Sequence, residues 1–228
     1  MFQRTGCGGF PVSQAKYFQT FKAVEIGATF QSLPRLATAE NWRRRAPHGF
    51  EFSMRAWREI THPPAGHFRS GIKTELAWDQ TRCVAESMKA RFVVFETPAS
   101  FYPDANHLRD MYRFFKSIRR NSLSLVWQPR GRWEQHLVNK VSCDLGLIQA
   151  VNPLEAVVIP DKTINYFRLP APCGGAYNDA EMKEIHRRCG SLPSYVFFTS
   201  ANAWRDARRF EALINQGSVP SVRNLRRL

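Results

Sequence analysis

Phe92-Val93-Val94-Phe95-Glu96, then Pro103-Asp104, then Leu123-Ser124-Leu125-Val126-Trp127 form the stretch whose reading decides the fold. Behind the Pro103-Asp104 start signal, Leu108, Met111, Phe115 and Ile118 recur at helical spacing, which predicts a helix over 104–120 between two short apolar runs. Strand, helix and strand in that order make a βα unit with parallel strands.

The same alternation continues outward in both directions. Strands are predicted near 2–7, 22–26, 51–55, 92–96, 123–127, 144–149, 164–169 and 194–199. Helices are predicted near 12–20, 38–46, 75–90, 104–120, 132–141, 178–190 and 202–215, with a weaker connection at 152–160. Eight strands alternating with about as many helices predict an α/β chain of the (β/α)8 TIM-barrel type, with short helices because 228 residues is few for that fold. An open doubly wound sheet is the alternative, but Thr5-Gly6-Cys7-Gly8-Gly9-Phe10 matches its glycine-rich phosphate turn only in part. The expected organisation is one barrel domain over 1–217 and a basic tail over 218–228, where helical periodicity is lost.

Composition narrows the function classes. No run approaches the roughly 18 apolar residues of a membrane span, and residues 1–6 lack a signal-peptide core, so a cytoplasmic protein without membrane partners is expected. Cys7, Cys83, Cys143, Cys173 and Cys189 contain no C-x-x-C pair and read as reduced thiols. Cys7, flanked by Gly6 and Gly8-Gly9, is the candidate for a sulfur at an open turn. The 33 Lys and Arg against 19 Asp and Glu leave a net charge of +14, and 25 of the 33 are arginine. Such a surplus concentrates polyanions and points to nucleic acid, with RNA favoured over DNA, or to a ribonucleoprotein assembly. The bland alternative is a merely solvated basic surface. The segments that would carry binding are Arg43, Arg44 and Arg45, the row Arg109, Arg113, Lys116 and Arg120, and Arg205, Arg208 and Arg209 leading to Arg223, Arg226 and Arg227.

In a parallel barrel the functional face lies at the C-terminal ends of the strands. Glu25, within Ala23-Val24-Glu25-Ile26, needs a partner if buried, and Arg55 on the next strand is the expected one. Whether that pair is structural or holds an anion-binding arginine is open. His62, Glu96, Gln128, Arg130 and Arg168 close or follow other strands. If the chain is an enzyme, Glu25 or Glu96 would be the base, His62 the acid, and Arg55, Arg130 and Arg168 the anion binders. Phe101, Trp127, Trp133 and Tyr166 interleave with these cations, either to stack on bases or as ordinary core caps. The six histidines show no metal-ligand spacing, so neither metal nor cofactor is expected.

Seven motifs taken together carry a resemblance. They are Gly6-Cys7-Gly8-Gly9-Phe10, Val24-Glu25-Ile26 with Thr29-Phe30, Phe52-Ser53-Met54-Arg55-Ala56, Ile60-Thr61-His62, Phe95-Glu96-Thr97-Pro98-Ala99-Ser100-Phe101, Trp127-Gln128-Pro129-Arg130-Gly131 and Tyr166-Phe167-Arg168-Leu169. The chain resembles the YecE-like family of TIM barrels, a domain of unknown function, and is most similar to archaeal members. The resemblance implies a barrel but no activity. It also implies departures, because members tend to carry Gln at position 96, Glu at 128, Asp at 152, His-Gly at 170–171, Asn-Asn at 199–200 and Lys at 55. Fewer proton-transfer groups and more arginine would shift such a site from acid–base work toward binding. The expected function is therefore nucleic-acid binding with weak or no catalysis. The alternative is a cofactor-free, hydrolase-like enzyme acting on a phosphorylated or nucleic-acid substrate at the barrel mouth.

Overall fold

A computed structural model describes residues 2–155, 163–172 and 174–217, the side chains of residues 216 and 217 excepted. The eight strands are β1 (Gln3–Cys7), β2 (Ala23–Ile26), β3 (Glu51–Arg55), β4 (Ala90–Thr97), β5 (Ser124–Pro129), β6 (Ile148–Val151), β7 (Asn165–Leu169) and β8 (Ser194–Phe198). The helices are α1 (Gln14–Thr20), α2 (Leu36–Arg45), α3 (Arg58–Thr61), α4 (Ile72–Ser87), α5 (Ala105–Ser117), α6 (Gln135–Leu145), α7 (Asp179–Cys189) and α8 (Ala203–Gly217), with a 3-10 turn at Gly27–Phe30. Every paired strand is parallel and the order is β1-β8-β7-β6-β5-β4-β3-β2, the TIM-type barrel expected from the alternation.

Alternation along each strand makes two cores. Ala23, Phe92, Val94, Val126, Tyr166, Tyr195 and Phe197 fill the lumen. Phe52, Phe95, Trp127 and Phe198 face outward against helical residues such as Trp78, Phe114 and Phe210. Asp104 caps α5 by accepting the backbone N–H groups of Asn106 and His107, and Asn178 forms a capping box with Glu181 on α7.

Several boundaries differ from expectation, since α4 runs over 72–87 where 75–90 is predicted, α6 over 135–145 where 132–141 is predicted, and the short α3 has no counterpart in the prediction. The helix predicted over 104–120 stops at Ser117, and the strand predicted over 144–149 runs from Ile148 to Val151. In the last case α6 continues to Leu145 and ends on Gly146 in the left-handed conformation, so the apolar residues before Ile148 serve the helix. Residues 152–155 form a turn, whereas the rest of the 152–160 connection, Cys173 and the 218–228 tail lie outside the described residues. No helix among the described residues is long and apolar enough to cross a membrane.

The ring closes where β1 meets β2, and a side chain bridges that seam. The Tyr17 hydroxyl accepts the Cys7 backbone N–H at 2.7 Å and donates to the Ala23 carbonyl at 3.0 Å. Gly6 permits the approach, since a Cβ there would lie 2.3 Å from the Ala23 oxygen. Cys7 is buried and its thiol is pushed up to about 12 by desolvation, so it is a core sulfur and not an open-turn one. Gly6→Ala should force the seam apart and cost about 1–3 kcal/mol. Thermal unfolding of the variant beside wild type checks this, and an unchanged midpoint would refute the closure geometry.

Candidate functional site

Inward-facing positions near the ends of the strands place Glu25, Arg55, Glu96, Gln128 and Arg168 at one rim of the barrel, as the strand pattern predicts. Their partners differ from expectation. Glu25 is fully buried, and its partner is Arg168 from across the lumen, with Nη2 at 2.9 Å and Nε at 3.1 Å from Oε1. Register explains why Arg55 is not that partner. Glu25 on β2 stands opposite Ser53 on β3, so Arg55 lies two residues, roughly 6–7 Å, further toward the mouth. Tyr166 donates to Glu25 Oε2 at 2.9 Å, and its hydroxyl also meets Ser53 Oγ at 2.5 Å. Nothing in the sequence marks Ser53 or Tyr166 as a partner of Glu25, since Ser53 reads there as an ordinary strand residue and Tyr166 as an aromatic interleaved with the mouth cations.

Arg168 continues the network outward. Its Nη1 donates to Glu96 Oε2 at 2.6 Å and to Gln128 Oε1. Burial alone would lower its basicity, but Glu25 and Glu96 more than offset that and hold the guanidinium above its ordinary value. Glu96 receives two further cations, Arg55 Nη2 at 3.3 Å and Arg130 Nε at 3.4 Å. Burial would raise the Glu96 carboxyl, but Arg168, Arg55 and Arg130 bring it below its ordinary value. Arg55 stacks on Phe30 with Cζ 3.9 Å from the ring centroid, and burial lowers its guanidinium despite Glu96. Phe30 in turn meets His62 edge-on at 4.9 Å, and burial of that imidazole lowers its basicity, leaving it neutral at pH 7.

Both carboxylates named as general bases are therefore committed to arginine. Three guanidinium groups face two carboxylates within the cluster, and Arg130 is the outermost with its side chain 48% exposed, while Glu155 lines the adjoining cleft. Beside it a cleft of about 230 Å3 runs from Gln128 and Arg130 past Trp133 and Gln149 to Asn152. Phe101, Trp127 and Tyr166 are fully buried core caps, so of the four interleaved aromatics Trp133 alone faces this cleft. Among the described residues no group of three or more His, Cys, Asp or Glu converges to hold a metal ion.

The outer arginines divide into two kinds. Arg43 donates to the carbonyls of Phe50 and Pro47 at 2.6 and 2.8 Å, fastening the turn into β3. Arg120, beyond the end of α5 and so off the predicted row, donates to the carbonyls of Phe115, Leu145 and Gly146. Arg209 donates to the Tyr177 carbonyl and pairs with Asp179. Arg44, Arg45, Arg109, Arg113, Lys116, Arg205 and Arg208 are exposed, although Arg109 and Arg205 sit beside Asp110 and Asp206. These segments do not form one track, because β4 and β8, which precede α5 and α8, lie four places apart in an eight-strand ring. Arg223, Arg226 and Arg227 lie outside the described residues.

Parallel order and a polar, charged mouth at the strand ends define a TIM-type barrel protein. The sequence profile of the family described as "Protein of unknown function DUF72" matches residues 13–226, and the chain belongs to that family. Two solved DUF72 family proteins share the fold. That of Enterococcus faecalis V583 is 14% identical with a TM-score of 0.74, over 94% of this chain and 98% of its own. That of Thermotoga maritima MSB8 is 16% identical with a TM-score of 0.71, over 94% and 100%. Endonuclease IV of Thermus thermophilus is similar at 12% identity and a TM-score of 0.56, over 93% and 99%. No curated protein matches the chain.

Removing Arg168 would leave Glu25 charged and buried with no counter-ion and only the Tyr166 hydroxyl as a donor, so Arg168→Met should cost about 3–5 kcal/mol in chemical denaturation. A loss below about 1 kcal/mol would contradict the network. Because the folded Glu96 carboxyl is depressed, its stabilisation is fully present above the unfolded carboxylate range and is lost as pH falls through the lowered folded value. Glu96→Gln should flatten that acid limb, measured as unfolding free energy against pH.

Proposed function

We propose that this chain binds nucleic acid through its phosphates, with one phosphate lodged at the mouth against Arg130 and Arg55. The observation that carries the reading is the cluster of three guanidinium groups on Glu96 and Glu25, whose outermost member, Arg130, opens onto a cleft that Glu155 also lines. The net charge of +14 supports a polymer over a small phosphorylated molecule. The exposed arginines of α2, α5 and α8 are spread around the ring, so a flexible single strand can follow them where a stiff duplex, with its persistence length of about 50 nm, cannot. Single-stranded RNA, free or within a ribonucleoprotein assembly, is accordingly favoured over duplex DNA. The commitment of Glu25 and Glu96 to arginine supports binding without turnover at the mouth. Within its family the chain reads as a YecE-like member of archaeal type, a reading supported by the seven motifs.

A second reading, a cofactor-free hydrolase acting on a phosphorylated or nucleic-acid substrate, rests on His62 beside Phe30 near the mouth, where burial lowers its basicity and suits it to the role of base in place of the acid role expected from the sequence. Phosphodiesterase turnover that His62→Gln abolishes would favour it. The binding reading predicts that log affinity for single-stranded RNA falls linearly with log salt concentration. Arg130→Ala should reduce the slope by about 0.7, and Arg109/Arg113/Lys116→Ala by more. No binding by wild type at low salt, or full slope in both variants, would overturn it.

A further inference from the structure

Beyond the arginine cluster, the rim at the end of β4 carries a nucleophile and base pair that stands independently of phosphate binding. We infer that Ser100 and His67 form an acyl-transfer site for small carboxylic esters, with Ser100 as nucleophile and His67 as its base. His67 Nδ1 lies 2.7 Å from the Thr61 carbonyl oxygen. A carbonyl only accepts, so Nδ1 carries a proton, and the neutral tautomer this selects presents its Nε2 lone pair on the other side. Ser100 Oγ lies 3.2 Å from that Nε2 and donates its hydroxyl hydrogen into it. A serine on a base whose second nitrogen is held by a third group is the arrangement that activates a hydroxyl nucleophile.

Both partners are fixed. The His67 ring meets Phe101 and His107 edge-on, each at 5.4 Å. The turn bearing Ser100 is closed by the Phe101 N–H to the Pro98 carbonyl at 3.0 Å and pinned by the Trp133 indole N–H to the Phe101 carbonyl at 2.8 Å. Gly131 packs under it, where a Cβ would come within 2.9 Å of the Ala99 oxygen. Ser100 itself is exposed and open to a substrate.

The step balances with water as the co-reactant. Ser100 Oγ bonds to the ester carbonyl carbon, its proton passes to His67 Nε2, the bond to the leaving oxygen breaks, and the alcohol departs with that proton. Water then attacks the acyl-serine, giving its proton to His67, and Ser100 recovers a proton as the carboxylic acid leaves. Because a neutral carbonyl orients His67, the imidazolium that forms lacks the carboxylate stabilisation of a full triad. That restricts the site to esters, whose leaving oxygen is easier to expel than an amide nitrogen.

The test incubates the purified full-length protein with p-nitrophenyl acetate and maps the acetyl group by peptide mass, with a fluorophosphonate probe in parallel. Wild type should acylate at Ser100. Ser100→Ala should abolish both labels with an unchanged melting temperature. His67→Asn, whose side-chain amide can still reach the Thr61 carbonyl, should slow acylation by about 100-fold or more while the fold persists. Absence of acylation in wild type, a label on another residue, or Ser100→Ala that labels normally would overturn the assignment. An unslowed His67→Asn, or His67→Gln where the first variant does not fold, would remove His67 from it.

Discussion

A carboxylate without access to water, Glu25, sits inside a barrel otherwise filled by aromatic and aliphatic side chains, and it is tolerable only with a full set of donors. Arg168 and Tyr166 supply them from β7, across the lumen. The remaining Arg168 nitrogen then has a fixed direction, and Glu96 on β4 and Gln128 on β5 meet it there. One guanidinium thus ties four strands into a single electrostatic unit, and Ser53 joins β3 to it through Tyr166. The shape of the mouth follows from the requirement to compensate Glu25.

The same requirement limits the chemistry of the mouth. A carboxylate that accepts from three arginines, as Glu96 does, is a poor proton acceptor, because protonation would forfeit those bonds. What the mouth has left to offer is positive charge at Arg55 and Arg130. The total charge overstates what is available elsewhere on the surface, since Arg43 and Arg120 are spent on backbone carbonyls at the ends of helices and loops. Arginine serves there as a structural fastener, a use its planar fork suits.

The departures that the family resemblance implies at positions 96 and 128 take on a different meaning in three dimensions. Glu96 and Gln128 are register partners on β4 and β5, and both accept from the same Arg168 nitrogen. Gln at 96 with Glu at 128 would present Arg168 with the same pair, one carboxylate and one amide, in exchanged places. Read along the sequence, the two changes look like a lost acid and a gained one. Across the ladder they cancel in charge and relocate it by one strand.

The sequence by itself determined the class of fold, because apolar runs of strand length alternate with helical periodicity and only a parallel sheet satisfies that order. It also determined which residues reach the rim, since residues closing parallel strands share one end of a barrel and period-two alternation turns Glu25, Arg55, Glu96, Gln128 and Arg168 inward. Only the tertiary structure decided which of them touch. Glu25 and Arg168 lie 143 residues apart, and their contact depends on the stagger of the strands and the width of the lumen, neither of which leaves a local pattern. The dyad of His67 and Ser100, like the Tyr17 bridge across the β1–β2 seam, has the same origin. The first joins the segments that follow the paired neighbours β3 and β4, the second spans the seam of the ring, and no spacing along the chain announces either.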